Sequence, residues 1–368
     1  MSKRTAKVEQ PVHGAFDYAE LESLGLHPEE VIDFSVNSNP YGPSPRVREA
    51  VANVALDRYP DRTCLELKRA ILDYELDGTR LPLAALVCGN GTAELIWTIA
   101  HASLKPGMKV AIIGPTFGEY HTACLAMGAT IIEYRACASM HFQPDSEEIA
   151  TWIGEEHPSL VWLCNPNNPT GTWIGQEEMF LVAEACQKNA AMLVVDEAYW
   201  RFVSPREEFS ARELIEALPG LEVVVLRSLT KDFSLAGLRL GYAIATEETA
   251  RRLNAHLPSW NVNGVAQAAG VAALSDRVYL ETTLQALMTE RTAFFQALVH
   301  GNLKSVPSRT HFCLLAVENA HNVRQQLLTR KMLVRDCTSF GLPHCIRIAT
   351  RSAGEWQGLL AALQEMNI

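Results

Sequence analysis

From about residue 84 the chain alternates short apolar runs with segments of helical period, and no other feature restricts its fold as much. Candidate strands are Ala84–Cys88, Lys109–Ile113, Thr130–Tyr134, Leu160–Cys164, Met192–Asp196, Glu222–Arg227 and Arg239–Ala245. Between them, Ala93–Ser103, Tyr120–Met127, Gln176–Lys188 and Ala211–Leu218 carry helical spacing. Runs such as Leu193-Val194-Val195 and Val223-Val224-Val225-Leu226 are apolar at consecutive positions, as strands covered on both faces must be. The expectation is an α/β chain with a mostly parallel seven-stranded sheet under helices.

After about residue 255 the pattern changes to a long helical stretch through Gln285–Val299, short strands around His311–Val317 and Ile346–Thr350, and a last helix near Glu355–Met366. This predicts a smaller α+β domain. The first forty-five residues hold Pro11, Gly14, Pro28, Pro40, Gly42, Pro43 and Pro45, too broken for a sheet core and suited to an arm that packs on something else. The expected division is an N-terminal arm over 1–42, a large domain over 43–255 and a small C-terminal domain over 256–368. A length of 368 residues agrees with two such lobes, at ~100–200 residues per domain.

Charge and cysteine usage narrow the function classes. With 32 Lys+Arg against 42 Asp+Glu, no basic face is large enough to make nucleic acid an expected partner. No run reaches the ~18 apolar residues of a membrane span, and the basic start, Met1 to Lys7, is not followed by a signal-peptide apolar stretch; a cytoplasmic protein without membrane contact is expected. The cysteines at 64, 88, 124, 137, 164, 186, 313, 337 and 345 are odd in number, scattered and free of Cys-x-x-Cys spacing. That argues against a disulfide framework and a zinc site, so no metal is predicted.

The chemistry gathers at strand ends. Met192–Asp196 ends in an acid, in Val194-Val195-Asp196-Glu197-Ala198-Tyr199, and the next strand runs into Arg227-Ser228-Leu229-Thr230-Lys231. Neighbouring parallel strands present their carboxyl ends at one sheet edge, where open α/β folds bind ligands. Asp196 and Lys231 therefore form a buried salt bridge or meet one ligand. The segments around them favour the ligand. Asn165-Pro166-Asn167-Asn168-Pro169-Thr170-Gly171 follows Leu160–Cys164 as a rigid turn bearing side-chain amides. Gly89-Asn90-Gly91-Thr92-Ala93-Glu94 joins a strand to a helix, so free N–H groups and the positive end of a helix dipole suit an anion such as phosphate.

Four successive strand ends thus offer a phosphate cradle, an amide donor, a buried acid and a lysine. In this the chain resembles the fold-type-I pyridoxal-phosphate enzymes, the aspartate-aminotransferase superfamily. Ser228-x-x-Lys231 followed by Gly237-x-Arg239-x-Gly241, together with Asn168-Pro169-Thr170-Gly171, carries the resemblance, which extends over nearly the whole chain. It implies the PLP-dependent transferase fold of type I, with pyridoxal 5'-phosphate as cofactor. Lys231 would form a Schiff base with the cofactor aldehyde and later transfer protons. Asp196 would pair with the pyridinium nitrogen and sustain the ring as an electron sink. Asn168 and Tyr199 would donate to the ring 3-oxygen, and Phe117 would stack on the ring. The phosphate would fall to Gly91, Thr92, Ala93, Ser228 and Arg239, whose planar fork of donors suits it. Tyr59, in Arg58-Tyr59-Pro60-Asp61, matches a tyrosine that reaches a neighbouring subunit's phosphate, implying a homodimer with shared active sites.

Two subgroups resemble the chain most: histidinol-phosphate aminotransferases and the threonine-phosphate decarboxylases of cobalamin synthesis. The segment Ile32-Asp33-Phe34-Ser35-Val36-Asn37-Ser38-Asn39-Pro40 is similar to the decarboxylase version, as are His13-Gly14, Pro258-Ser259-Trp260-Asn261-Val262-Asn263 and Arg347-Ile348-Ala349-Thr350-Arg351-Ser352-Ala353. That branch implies His13, Asn37, Arg335 and Arg347 as holders of the substrate anions; taken alone, Arg335 also reads as a solvated strand end and His13 as a mobile terminal residue. Ala15 stands where the branch has a second glycine, Pro115-Thr116-Phe117-Gly118 follows the aminotransferases, and Asp232 follows the lysine where an uncharged residue is expected. An inward-pointing Asp232 or Glu119 would favour a cationic substrate. Decarboxylation of a phosphorylated amino acid is the main expectation. Transamination of histidinol phosphate or a related amine, and elimination, replacement or cyclisation of a guanidino-bearing amino acid as in capreomycidine-type synthases, are the alternatives. A catalytically silent regulatory protein is the remaining class, and the presence of every expected catalytic group speaks against it.

Overall fold

The computed structural model describes residues 14–75, 81–204 and 209–368. In chain order its strands are β1 (Ile32–Asp33), β2 (Leu86–Gly89), β3 (Lys109–Gly114), β4 (Thr130–Arg135), β5 (Leu160–Cys164), β6 (Met192–Asp196), β7 (Val223–Ser228), β8 (Gly241–Ala245), β9 (Phe312–Ala316), β10 (Met332–Leu333), β11 (Arg335–Asp336) and β12 (Cys345–Ala349). The expected sheet forms from β2 to β8 in the order β2-β8-β7-β6-β5-β3-β4. β3 to β7 pair in parallel with their neighbours among themselves. β8 is antiparallel to both β2 and β7. Between Ser228 and Gly241 the chain makes one 3-10 turn, Ala236–Leu238, and a left-handed residue at Arg239 (φ 56°). A parallel return needs a longer crossover, usually a helix, so the chain doubles back instead.

Side chains of each strand divide between two cores with period 2. Ala111, Val161, Leu163, Leu193, Val195, Val223 and Val225 enter one; Val110, Ile112, Trp162, Val194, Val224 and Leu226 enter the other. One helical expectation shifts, and one helix stands where none was expected. Ala211–Leu218 is a 3-10 turn, Ala211–Glu213, followed by the short helix Leu214–Ala217. Ser146–Glu156 is a helix that hydrophobic period did not reveal, although Asp145 caps it by accepting from the Glu147 and Glu148 N–H groups.

A third core lies under the antiparallel sheet β11-β12-β9 and includes Phe294, Leu298, Trp356, Leu359 and Leu363. Phe34 also belongs to it, because β1 pairs in parallel with β10. Val262, Ala266, Ala269, Ala273 and Leu280 belong to the core of the large sheet. We therefore propose that the lobes divide within the helix Arg277–His300 rather than at residue 255. Among the described residues no helix is long and apolar enough to cross a membrane.

Candidate active site

A cavity of about 380 Å³ opens at the carboxyl ends of β5, β6 and β7 and is closed from the other side by β11 and β12. Thr92, Ala93, Phe117, Asn168, Asp196, Tyr199, Lys231, Arg239, Asn37, Arg335 and Arg347 all line it, so most of the expected residues meet there. Ser228 lies just behind the wall, its hydroxyl 2.7 Å from that of the lining residue Thr230. Tyr59 is 82% exposed, away from its own chain's cavity, with its ring 4.8 Å from that of Trp260. His13 lies outside the described residues.

Parallel pairing of β6 with β7 brings Asp196 opposite Leu226 and the lysine turn beside it. Asp196 is buried, which raises its pKa; Tyr120, the Ala198 N–H and the charge of Lys231 pull the other way. Tyr120 donates to Asp196 Oδ2 at 2.7 Å and Ala198 N to Oδ1 at 2.9 Å. Burial, with Arg347 and Arg239 nearby, lowers Lys231 to about 8, so its amine is in reach of deprotonation near neutral pH. Its Nζ stands 5.9 Å from the Tyr199 ring centroid.

The helix start expected to hold a phosphate offers backbone N–H groups. The helix Gly91–Ser103 starts at Asn90, which makes no side-chain cap, and its first-turn residues Thr92 and Ala93 face the cavity. Gly91 has φ 78°, and a Cβ there would lie 2.9 Å from Arg239 Nη2; glycine is what lets the guanidinium close over the helix start. A helix start, a buried acid, the Phe117 ring and a lysine of lowered pKa share one cavity of ligand size, so these residues fit pyridoxal phosphate.

Across the cavity, Arg335 and Arg347 are direct partners in the β11–β12 register. Like charges facing each other across strands repel, and burial lowers the pKa of both, Arg335 to about 10. Arg335 donates to Ser339 Oγ at 2.6 Å. Arg347 donates from Nη1 to Asn168 Oδ1 and from Nη2 to the Ser35 carbonyl at 2.5 Å. The amide oxygen of Asn168 is thereby engaged, which leaves its NH₂ as the group for a ligand acceptor. Of the charged residues lining the cavity, Arg239, Arg335, Arg347 and Lys231 are cationic and Asp196 and Glu119 anionic. Cationic side chains outnumber acidic ones on the cavity wall.

Asp232 turns away from this cavity. It faces a cluster of Tyr74, Glu75, Glu197, Arg201 and Arg227 around a space of about 20 Å³ behind the lysine turn, and burial raises its pKa to about 7. Glu119 does line the cavity and accepts from Trp97 Nε1 at 2.9 Å. Tyr120 is the main residue that sequence reasoning missed. It stacks on Trp162 with centroids 4.8 Å apart and follows Phe117 by three positions, a helical spacing that was legible in the sequence.

Residues 29–364 match the family model described as aminotransferase class I and II. A histidinol-phosphate aminotransferase of Caldicellulosiruptor saccharolyticus is 32% identical over 346 residues, 93% of each chain. A threonine-phosphate decarboxylase of Salmonella typhimurium is 33% identical over 357 residues, also 93% of each. Among solved structures, histidinol-phosphate aminotransferase from Sinorhizobium meliloti in complex with pyridoxal-5'-phosphate matches with a TM-score of 0.84 at 24% identity, covering 99% of this chain and 98% of that one; this is a likeness of fold.

Proposed function

The chain belongs to the class I and II aminotransferase family of fold-type-I, pyridoxal-phosphate-dependent enzymes, and from that premise we propose that it decarboxylates an amino acid bearing a phosphate ester, in the manner of a threonine-phosphate decarboxylase. The observation that carries this reading is the buried cross-strand pair Arg335 and Arg347 on one cavity wall. Two guanidinium groups side by side suit a substrate with two anionic groups, a carboxylate and a phosphate. Arg347 takes the carboxylate beside Asn168, and Arg335 the phosphate.

When bound, the cofactor supplies an electron sink for the pair released from the breaking bond. Asp196, held by Tyr120, would keep a negative charge at the ring nitrogen; Asn168 and Tyr199 would donate to the ring oxygen; Thr92, Ala93, Arg239, Gly91 and Ser228 would hold the phosphate. Lys231 delivers a proton to the substrate carbon that has lost carbon dioxide. Asn37, whose amide is 3.4 Å from the Tyr199 hydroxyl, lies on the substrate side. We further propose a homodimer, supported by the exposed Tyr59–Trp260 pair, and a cytoplasmic setting, supported by nine unbridged thiols.

Transamination is the second reading, favoured by the aminotransferase relatives; an oxo-dicarboxylate acceptor would use the same two arginines. The cyclisation reading loses Asp232, which faces the rear cluster, and keeps only Glu119 on the cavity wall. The test is product analysis of the holoenzyme with L-threonine O-phosphate and no oxo acid. Accumulating aminopropanol phosphate is expected. Unchanged substrate, with turnover of histidinol phosphate once an oxo acid is added, overturns decarboxylation in favour of transamination.

A further inference from the structure

The segment Phe34–Asn39 forms a strap between the substrate arginine and the lysine turn. At its start, the Phe34 N–H donates to the Leu333 carbonyl at 2.8 Å, Ala349 N donates to the Phe34 carbonyl at 3.0 Å, and Arg347 grips the Ser35 carbonyl. At its end the strap holds three consecutive carbonyls of the turn. Ser38 Oγ donates to Thr230 O at 3.2 Å, Asn39 N to Lys231 O at 2.8 Å and Asn39 Nδ2 to Asp232 O at 3.1 Å.

Asn39 is 3% exposed, and its hydrogen-bonding capacity is well used. Nδ2 also donates to Thr283 Oγ1 at 2.9 Å, Oδ1 accepts from Tyr41 N at 3.2 Å, and its carbonyl accepts from Ser234 Oγ at 2.5 Å. Residues 229–233 form a turn between β7 and the 3-10 segment Ala236–Leu238; outside the strap, the Lys231 carbonyl accepts one longer bond from within the turn, from Ser234 N at 3.3 Å. A lysine has four rotatable side-chain bonds, and the placement of its amine starts from the placement of its backbone.

We propose that Asn39 is a positioning residue for Lys231, fixing the main chain of the lysine turn so that the amine keeps one approach to the substrate carbon. The strap ties this placement to the strand that carries Arg347. The same amide that joins the turn to Thr283 joins it to the helix on which the two lobes meet. The inference rests on Lys231 as the cofactor-bearing lysine.

The test uses holoenzyme of the wild type, Asn39→Asp, Asn39→Ala and Ser38→Ala. Borohydride reduction and peptide mapping first locate the cofactor: label on a lysine other than Lys231 overturns the site assignment and the inference with it. With label on Lys231, the pH midpoint of the visible absorbance of the lysine-bound cofactor is expected to move by about half a unit or more in both position-39 variants. With L-threonine O-phosphate, kcat is expected to fall about tenfold to a hundredfold, while KM changes by less than about threefold. The absorbance needs no substrate, so a failure of the decarboxylase reading leaves that arm standing. An unmoved midpoint, whether or not the melting temperature falls, overturns the proposal for Asn39. If the position-39 variants do not fold, Ser38→Ala decides: a shifted midpoint supports the strap and an unshifted one overturns it.

Discussion

Burial acts on the two neighbours Lys231 and Asp232 in opposite senses, and each moves toward its neutral form. For Asp232 the consequence is a pH-dependent stability. Its folded pKa is about 7 against an ordinary 3.8, so the folded chain holds a proton that the unfolded chain gives up between these values. The contribution is intact below about pH 4 and is lost as pH rises to about 7. Asp232→Asn removes the loss, so its melting temperature relative to wild type is expected to rise by a few degrees, roughly, between pH 4.5 and 7.5 and then level off. A difference between the two proteins that does not vary with pH in thermal melts would contradict the burial argument. The sequence pointed to both residues but not to their directions. In a turn, adjacent side chains diverge, and which one enters the cavity depends on what Asn39 and the rear arginines hold.

At the level of elements, the proposed substrate site depends on the register of strands two to five residues long. Arg335 and Arg347 face one another because β11 and β12 pair antiparallel with those residues opposed. Arg347→Ala is expected to raise KM for the amino acid by about tenfold or more while cofactor retained after dialysis, read by absorbance, stays near wild type. Arg335→Ala should weaken the phosphorylated substrate more than its unphosphorylated parent. Equal losses with both would move the phosphate elsewhere. The long strands of the large sheet were readable because consecutive apolar residues allow few alternatives; β5 and β6 match their expected spans to the residue. β1, β10 and β11, of two residues each, carry no period, and only pairing defines them.

The whole molecule places its cavity between the large sheet and the strands β11 and β12, and one expected residue stays outside it. Tyr59 packs on Trp260 at the surface, so a role at a cofactor phosphate requires a second copy. Light scattering is expected to give about twice the chain mass of 40.6 kDa. Mixing a Tyr59→Ala chain with a Lys231→Ala chain should restore activity, because one site of the mixed dimer then has its own Lys231 and the partner's intact tyrosine. No recovery on mixing, with both chains in one dimer, would confine Tyr59 to its own subunit. By itself the sequence determined the sheet and the arrival of Asp196, Lys231 and the glycine turn before Thr92 at its carboxyl edge, because these follow from local period and local backbone preference. The tertiary structure alone decided that Tyr120 braces Asp196, that Asp232 faces backward, that Arg335 meets Arg347 and that Asn39 holds the lysine turn, because each joins segments whose meeting depends on the packing of the complete chain.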